Sequence, residues 1–234
     1  LCFRVSYWSG HFSGRYSRTS FYIMNTSLFF IIILSYLTGS ISGGMIVGKI
    51  RNVDIRKKGS KATGATNAFR TMGALFALSV LIIDVYKGYF SVNYIPLLFL
   101  EHSDNTSKAL AGCFSILGHV YPIFFKFKGG KGVGTALGTL LAFTQFHFSA
   151  GIGFLTWLIN LFITGYVGLG SIMAGIMVSV VFIYENNFIL NELTIYIIFI
   201  SMFFILTHHE NIRRLLNGTE NQFKKIMLIN LFKK

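Results

Sequence analysis

Acidic residues are scarce in this sequence. Eight Asp and Glu stand against 21 Lys and Arg, and no two acids pair closely inside an apolar block, so paired-carboxylate chemistry has no candidate. A carboxylate-held metal is disfavoured too, because Asp54 and Glu210 are the only acids within the polar segments 54–73, 126–134, 165–171 and 208–214. Cysteine is scarcer still. Cys2 and Cys113 are the only two, and Cys113 falls within an apolar block, so neither a disulfide nor a thiolate metal site can be argued. The chain has no HExxH, no GxSxG, no CxxC and no GxxxxGK[ST], and no histidine is followed five residues later by Asp. No metal and no cofactor are expected. Charge as a whole is sparse: 12% of residues are charged, about half the share in an ordinary soluble domain.

What fills the chain is apolar. Hydrophobic residues make up 53% and aromatics 16%, and they come in long blocks without strand alternation. Only helices or closed barrels satisfy their backbone in lipid, so the expectation is an all-α, polytopic integral membrane protein. A crossing needs about 20 residues. The blocks read as seven spans: Asn25–Val47, Met72–Leu100, Lys108–Phe125, Val133–Phe148, Ala150–Thr164, Ile172–Tyr184 and Leu193–Leu206. The second is read as one span with its Asp84–Gly88 step buried against protein, because each half alone is only about a dozen residues, too short to cross. Residues 24–220 form the membrane domain, and 221–234 a basic tail. The leader, 1–23, reads as an extension before a start at Met24.

A net charge of +13 would suggest nucleic acid in a soluble protein. Here the cations sit at the ends of apolar blocks, which points instead to topology and to anionic headgroups or substrates. Lys and Arg crowd loop 49–70, loop 126–131 and the tail after 207, and are absent from loops 101–107 and 185–192. Seven alternating spans place every basic segment on one side, the cytoplasmic one. The expected location is a bacterial cytoplasmic (inner) membrane.

Four polar segments then share one face: 54–73, 126–134, 165–171 and 208–214. The first reads DIRKKGSKATGATNAFRTMG. Topology explains its lysines, but not Gly59-Ser60, Gly64-Ala65-Thr66-Asn67 and Arg70. Backbone N–H groups, hydroxyls and cations in one loop suit a phosphate ester. The second, KFKGGKGVGT, offers Gly129, Gly130 and Gly132 for close backbone approach and Lys131 for charge, although Gly-Lys loops also serve as ordinary turns. On a helix, His208, Asn211 and Arg214 or Leu215 fall near one face. His208 is a candidate base or phosphate ligand, and Arg213 and Arg214 could equally meet anionic lipid. Asp84 and Lys87 lie one turn apart inside an apolar block, where isolated charges are costly, so they are expected to pair and to be structural. His119 alone reads as a packing histidine.

Together these segments resemble the PlsY family of acyl-phosphate:glycerol-3-phosphate acyltransferases. The residues that carry the resemblance are GSISGGMIVGK at 39–49, DIRKKGS and GATNAFRTMG within 54–73, DVYKG at 84–88, LGHVYPIFFKFKGGKGVGTALG at 117–138, YVGLGSI at 166–172 and HHENIRRLLNGTE at 208–220. The resemblance implies a seven-helix membrane enzyme with its active site at the cytoplasmic face. Its substrates would be acyl phosphate and glycerol 3-phosphate, its products lysophosphatidate and phosphate, and it would use neither metal nor cofactor. Membrane lipid is the other partner implied. Ser60, Arg70, Lys131, His208 and Asn211 match catalytic positions. Gly59, Gly64, Thr66, Asn67, Gly129, Gly130, Gly132 and Ser171 are the expected substrate-binding set. The chain departs from the family pattern at Lys61-Ala62 (usually Gly-Asn), Gly165 (usually Arg), Gly168 (usually Ser), and Thr207 and His209 (usually Arg). Lys61 and Ser171 are candidates to replace the lost donors. An anion transporter or channel, or an inactive relative of the enzyme, are the competing readings.

Overall fold

The computed structural model describes residues 18–224 and residue 227. Most of the leader and most of the basic tail therefore lie outside the described residues. Among those described there are ten α-helices and no strands.

The first crossing is broken. α1 (Arg18–Gly39) ends before Ser40-Ile41-Ser42, and α2 (Gly43–Ile50) continues at an angle of 41°. A break at membrane depth frees backbone groups that lipid cannot satisfy. Ser42 caps α2 by accepting from the Met45 N–H at 3.4 Å. α3 (Ala65–Met72) is short, and Gly73, at φ +88°, turns the chain into α4 (Ala74–Asn93). α4 is one uninterrupted helix through Asp84 and Lys87, as the reading of a single span required.

α5 (Asn105–Val120) starts on Asp104, whose carboxylate accepts from the Ser107 N–H at 2.7 Å. α6 (Val133–Leu141) and α4 run parallel at very close range. A Cβ at Gly88 would collide with the Thr135 carbonyl, and one at Gly138 with the Val85 carbonyl, so glycine is what lets the two backbones approach. α6 has nine residues, about 14 Å of helix. It therefore begins beside Asp84, halfway along α4, and the loop before it reaches that depth.

The expected fourth and fifth spans divide elsewhere than the apolar pattern suggested. α6 stops at Leu141, and α7 (His147–Thr164) takes in residues assigned to its neighbour. The Gly-rich segment 165–171 is not a loop either. α7 ends on Gly165, at φ +70°, and α8 (Val167–Glu185) begins two residues later. α9 (Glu192–Thr207) is capped by Asn191, and α10 (His209–Leu216) leaves it at 53°.

Among the described residues four helices are long and apolar enough to cross a membrane, or up to six if each bent pair counts as one span. Seven spans were expected; α6, with nine residues, is not among these candidates. The core lies between α5, α6, α7, α8 and α9. Its far end is a cluster of packed rings: Phe143, Phe146, Phe182 and Tyr196.

Candidate active site

The four polar segments meet at the mouth of one cavity of about 700 Å³. Ser60, Thr66, Arg70, Lys131, His208 and Asn211 all line it, as do Gly64, Gly132 and Ser171.

The first segment is shaped by Asn67. Its Nδ2 donates to the carbonyls of Ile55 (3.3 Å), Lys58 (3.1 Å) and Ala62 (2.9 Å), and its Oδ1 accepts from the Ser60 N–H at 2.9 Å. Both polar atoms are engaged by the loop, so Asn67, which also lines the cavity, organises the turn that presents Ser60. No described residue hydrogen-bonds the Ser60 hydroxyl, which is left for a ligand. Asp54 starts the same loop by accepting from the backbone and side chain of Arg56, both at 3.0 Å, and this pairing lowers its pKa. Lys61 takes the left-handed conformation, φ 62°, that glycine adopts without strain. Its side chain is exposed and does not line the cavity, although its neighbours Ser60 and Ala62 do.

In the second segment Gly129 and Gly130 do not line the cavity, and neither does Gly59 of the first. A Cβ at Gly129 would strike the His119 carbonyl, and one at Gly130 the His119 ring. These two glycines seat the loop on His119. Lys131, carried by that loop, donates to Asn211 Oδ1. Thr207 ties the end of α9 to the same loop by donating to the Lys131 carbonyl at 3.2 Å.

Six residues past the fourth segment, 208–214, stands a residue that sequence reasoning missed. Glu220 is buried, its side chain 1% exposed. It accepts from Asn211 Nδ2 at 2.8 Å and from Arg214 Nε at 2.6 Å. Arg214 therefore turns inward to the cavity and is not spread on lipid, whereas Arg213 is exposed. Beyond Glu220 the chain crosses the mouth. Arg70 donates to the Asn221 carbonyl at 3.3 Å, and its guanidinium stands 4.7 Å from the centre of the Phe223 ring.

Charge at this mouth is unbalanced. Arg70, Lys131 and Arg214 face one internal carboxylate, Glu220, which leaves about two positive charges, the match of a phosphate carrying about two negative ones. Burial pushes Lys131 down to about 8; the Arg214 charge adds to this and Glu220 opposes it. Burial also lowers Arg70. His208 lies past the last turn of α9. Burial, then the Lys131 charge, pushes it down to about 4, so its ring is neutral near pH 7. Nδ1 sits 2.8 Å from the Phe204 carbonyl. A carbonyl only accepts, so Nδ1 carries the hydrogen and Nε2 keeps the lone pair.

Asp84, Lys87 and His119 form a separate, closed cluster. Lys87 Nζ lies 2.8 Å from Asp84 Oδ1 and 2.8 Å from His119 Nδ1, and donates to the Ile41 carbonyl at 2.7 Å. Asp84 accepts from the Gly43 N–H at 3.3 Å. The pair thus satisfies both ends of the break between α1 and α2. Asp84 and His119 touch the cavity wall, and Lys87 does not.

From the mouth the cavity runs inward as an apolar arm between α4, α6, α7 and α8, past Leu81, Leu137, Trp157, Leu161 and Ala174. At its edge Leu75, Leu78 and Phe154 line the cavity and are also exposed, so the arm opens sideways where lipid would lie. Among the described residues no group of three or more His, Cys, Asp or Glu is placed to hold a metal.

A family model for glycerol-3-phosphate acyltransferase matches residues 29–218. The glycerol-3-phosphate acyltransferase of Bacillus subtilis (strain 168) is 41% identical over 195 residues, covering 83% of this chain and 96% of its own. That of Aquifex aeolicus (strain VF5) is 40% identical over 197 residues, covering 83% and 98%. Crystal structures of PlsY, an integral membrane glycerol 3-phosphate acyltransferase, superpose with TM-scores of 0.75 in both the glycerol 3-phosphate and the lysophosphatidic acid forms, at 38% and 37% identity, each covering 88% of this chain and all of the other.

Proposed function

The chain belongs to the glycerol-3-phosphate acyltransferase family, and from that premise we propose that its acyl donor is an acyl phosphate, taken from the membrane and used at the cytoplasmic face. The protein is an integral membrane enzyme that acylates glycerol 3-phosphate to lysophosphatidate. The observation that carries the donor reading is the two-ended cavity: a mouth with surplus positive charge joined directly to an apolar arm. An acyl chain ending in phosphate has the same two ends. The arm holds the chain, and its side opening lets donor enter from lipid and lysophosphatidate return to it.

Phosphate is already a good leaving group, so the protein has to position reactants and stabilise charge more than supply a nucleophile. The 1-hydroxyl of glycerol 3-phosphate attacks the acyl carbon, the bond from that carbon to the phosphate oxygen breaks, and inorganic phosphate leaves. Arg70, Lys131 and Arg214 hold the phosphates, and the Ser60 hydroxyl donates to one of them. The hydroxyl proton passes to His208 Nε2, whose basicity rises when a phosphate dianion lies beside it, or to a substrate phosphate oxygen. Asn211 and Glu220 keep Lys131 and Arg214 aimed. Gly168 leaves room for this: a Cβ there would lie 2.6 Å from Asn211 Nδ2. The departure at 168 is therefore coupled to the seat of Asn211 and is no sign of an inactive relative.

For topology we infer seven crossings, with α1–α2 counted once and α6 as the short one. Connections then alternate between the site face and the far face. The site-face segments carry the Lys and Arg, and 94–104, 142–146 and 186–191 carry none, which supports a site on the cytoplasmic side of a bacterial inner membrane.

The test is purified protein in detergent with glycerol 3-phosphate and a choice of donor. Lysophosphatidate is expected from acyl phosphate and not from an acyl thioester. Product from the thioester alone overturns the donor assignment.

A further inference from the structure

The apolar arm has a closed end. Along each helix the lining residue farthest from Lys131 and Arg70 is Leu140 on α6, Ala150 on α7, Val178 on α8 and Ile200 on α9. All four belong to one buried cluster. Ala150 is the smallest of them and is buried.

What lies behind them is stiff. Phe143, Phe146, Phe182 and Tyr196 are each no more than 4% exposed, with ring centroids 4.5 to 6.0 Å apart. Tyr196 is pinned by donating to Thr139 Oγ1 at 2.5 Å. Interlocked rings at core density do not open for one more methylene without strain. Val178 is fixed as well: a Cβ at Gly153 would strike its side chain, so α7 and α8 are locked together at this depth.

The depth suits a long chain. α7 lines the arm from Leu161 to Ala150, about 16 Å at the rise of an α-helix. An extended chain advances about 1.2 Å per bond, as the three-bond backbone residue does over about 3.6 Å. The arm thus takes roughly thirteen bonds of extended acyl chain before its terminal methyl meets the floor.

We propose that Ala150, with Leu140, Val178 and Ile200 beside it, is the ruler that sets which acyl chains the enzyme accepts. This rests on the acyl-phosphate reading above. The terminal methyl stops on these four side chains, and a chain too long for the arm bends toward the side opening at a cost in binding.

The experiment compares octanoyl, dodecanoyl, hexadecanoyl and octadecanoyl phosphate as donors for the purified full-length protein and two variants. Ala150→Phe raises the floor, and the ratio of kcat/KM for hexadecanoyl to octanoyl phosphate falls roughly tenfold or more. Val178→Ala is the gentler change and lowers the floor, so the ratio for octadecanoyl to dodecanoyl phosphate rises about threefold. It keeps the proposal open to refutation if Ala150→Phe does not fold. If wild type turns over acyl phosphates but neither ratio moves, the chain leaves sideways and the ruler is wrong while the donor reading stands. If wild type makes no lysophosphatidate from any acyl phosphate, the donor reading fails and the ruler fails with it.

Discussion

Two buried charge networks lie a short way apart in this protein. One is Asp84, Lys87 and His119; the other is Lys131, Asn211, Glu220 and Arg214, with Arg70 alongside. Both sit among apolar helices, where unpaired charge is costly. The first is closed. One carboxylate meets one ammonium, and what they have left over goes to the Gly43 N–H and the Ile41 carbonyl at the break in the first crossing. The second is open. Its three cations share one carboxylate and face a cavity. Burial and charge alone would rank the two equally as catalytic. What separates them is the unspent charge and where it points.

The sharpest way to break that comparison is to remove one charge from each network and read activity and stability together. Arg70→Ala lowers kcat/KM by about 10² to 10³, the usual cost of losing one charge-stabilising donor, and leaves thermal unfolding in detergent nearly unchanged. An Arg70→Ala enzyme as active as wild type removes Arg70 from the phosphate site. In the other network, Asp84→Ala strands a buried ammonium and destabilises the fold by about 3–5 kcal/mol. Protein that loses activity at unchanged unfolding temperature would mean that Asp84 works in chemistry.

pH separates the two functions of Lys131 itself. Its pKa is depressed from 10.5 to about 8, so the folded protein releases this proton earlier than the unfolded chain. Between about 8 and 10.5 the unfolded state binds more protons, and this group's contribution to stability rises with pH. Activity is expected to move the other way, because the ammonium proposed to hold phosphate is lost as pH climbs through about 8. Parallel pH profiles of unfolding temperature and kcat/KM therefore diverge on the alkaline side. Glu220→Gln removes the charge that supports Lys131, and the alkaline limb of activity shifts to lower pH. The smallest expected effect is that of Ser60→Ala, roughly a tenfold loss in kcat/KM, about one hydrogen bond to a charged group. A loss of many powers of ten would instead make Ser60 a nucleophile, and a trapped acyl-Ser60 would establish it.

Much of this was legible from residue order. The lone Asp84–Lys87 step inside an apolar block already predicted a buried pair, because no other arrangement is tolerable in lipid. The spacing of His208, Asn211 and Arg214 placed all three on one face, and all three line the cavity. Asn67 was only half legible, because an Asn in a Gly-rich loop fits substrate binding and turn building equally well, and its four bonds show the turn building. The segment 165–171 misled for a related reason. Its glycines lower helix propensity, but packing against α7 and α10 outweighs that, and α8 starts at Val167. Glu220 was the residue to find. It is the only acid after Glu210 in a basic stretch, and an isolated carboxylate among cations is a candidate partner for them. Its partners lie 6 and 9 residues back, across a turn that periodicity does not resolve.

The claim that matters most is that the open network holds phosphate through its surplus charge. Calorimetric titration of glycerol 3-phosphate into the purified protein tests it directly, with Arg70→Ala and Lys131→Ala as companions and inorganic phosphate as competitor. Competitive binding that weakens at least tenfold in each variant, or about 1.4 kcal/mol, is the predicted result. Binding of unchanged affinity in both variants would contradict it.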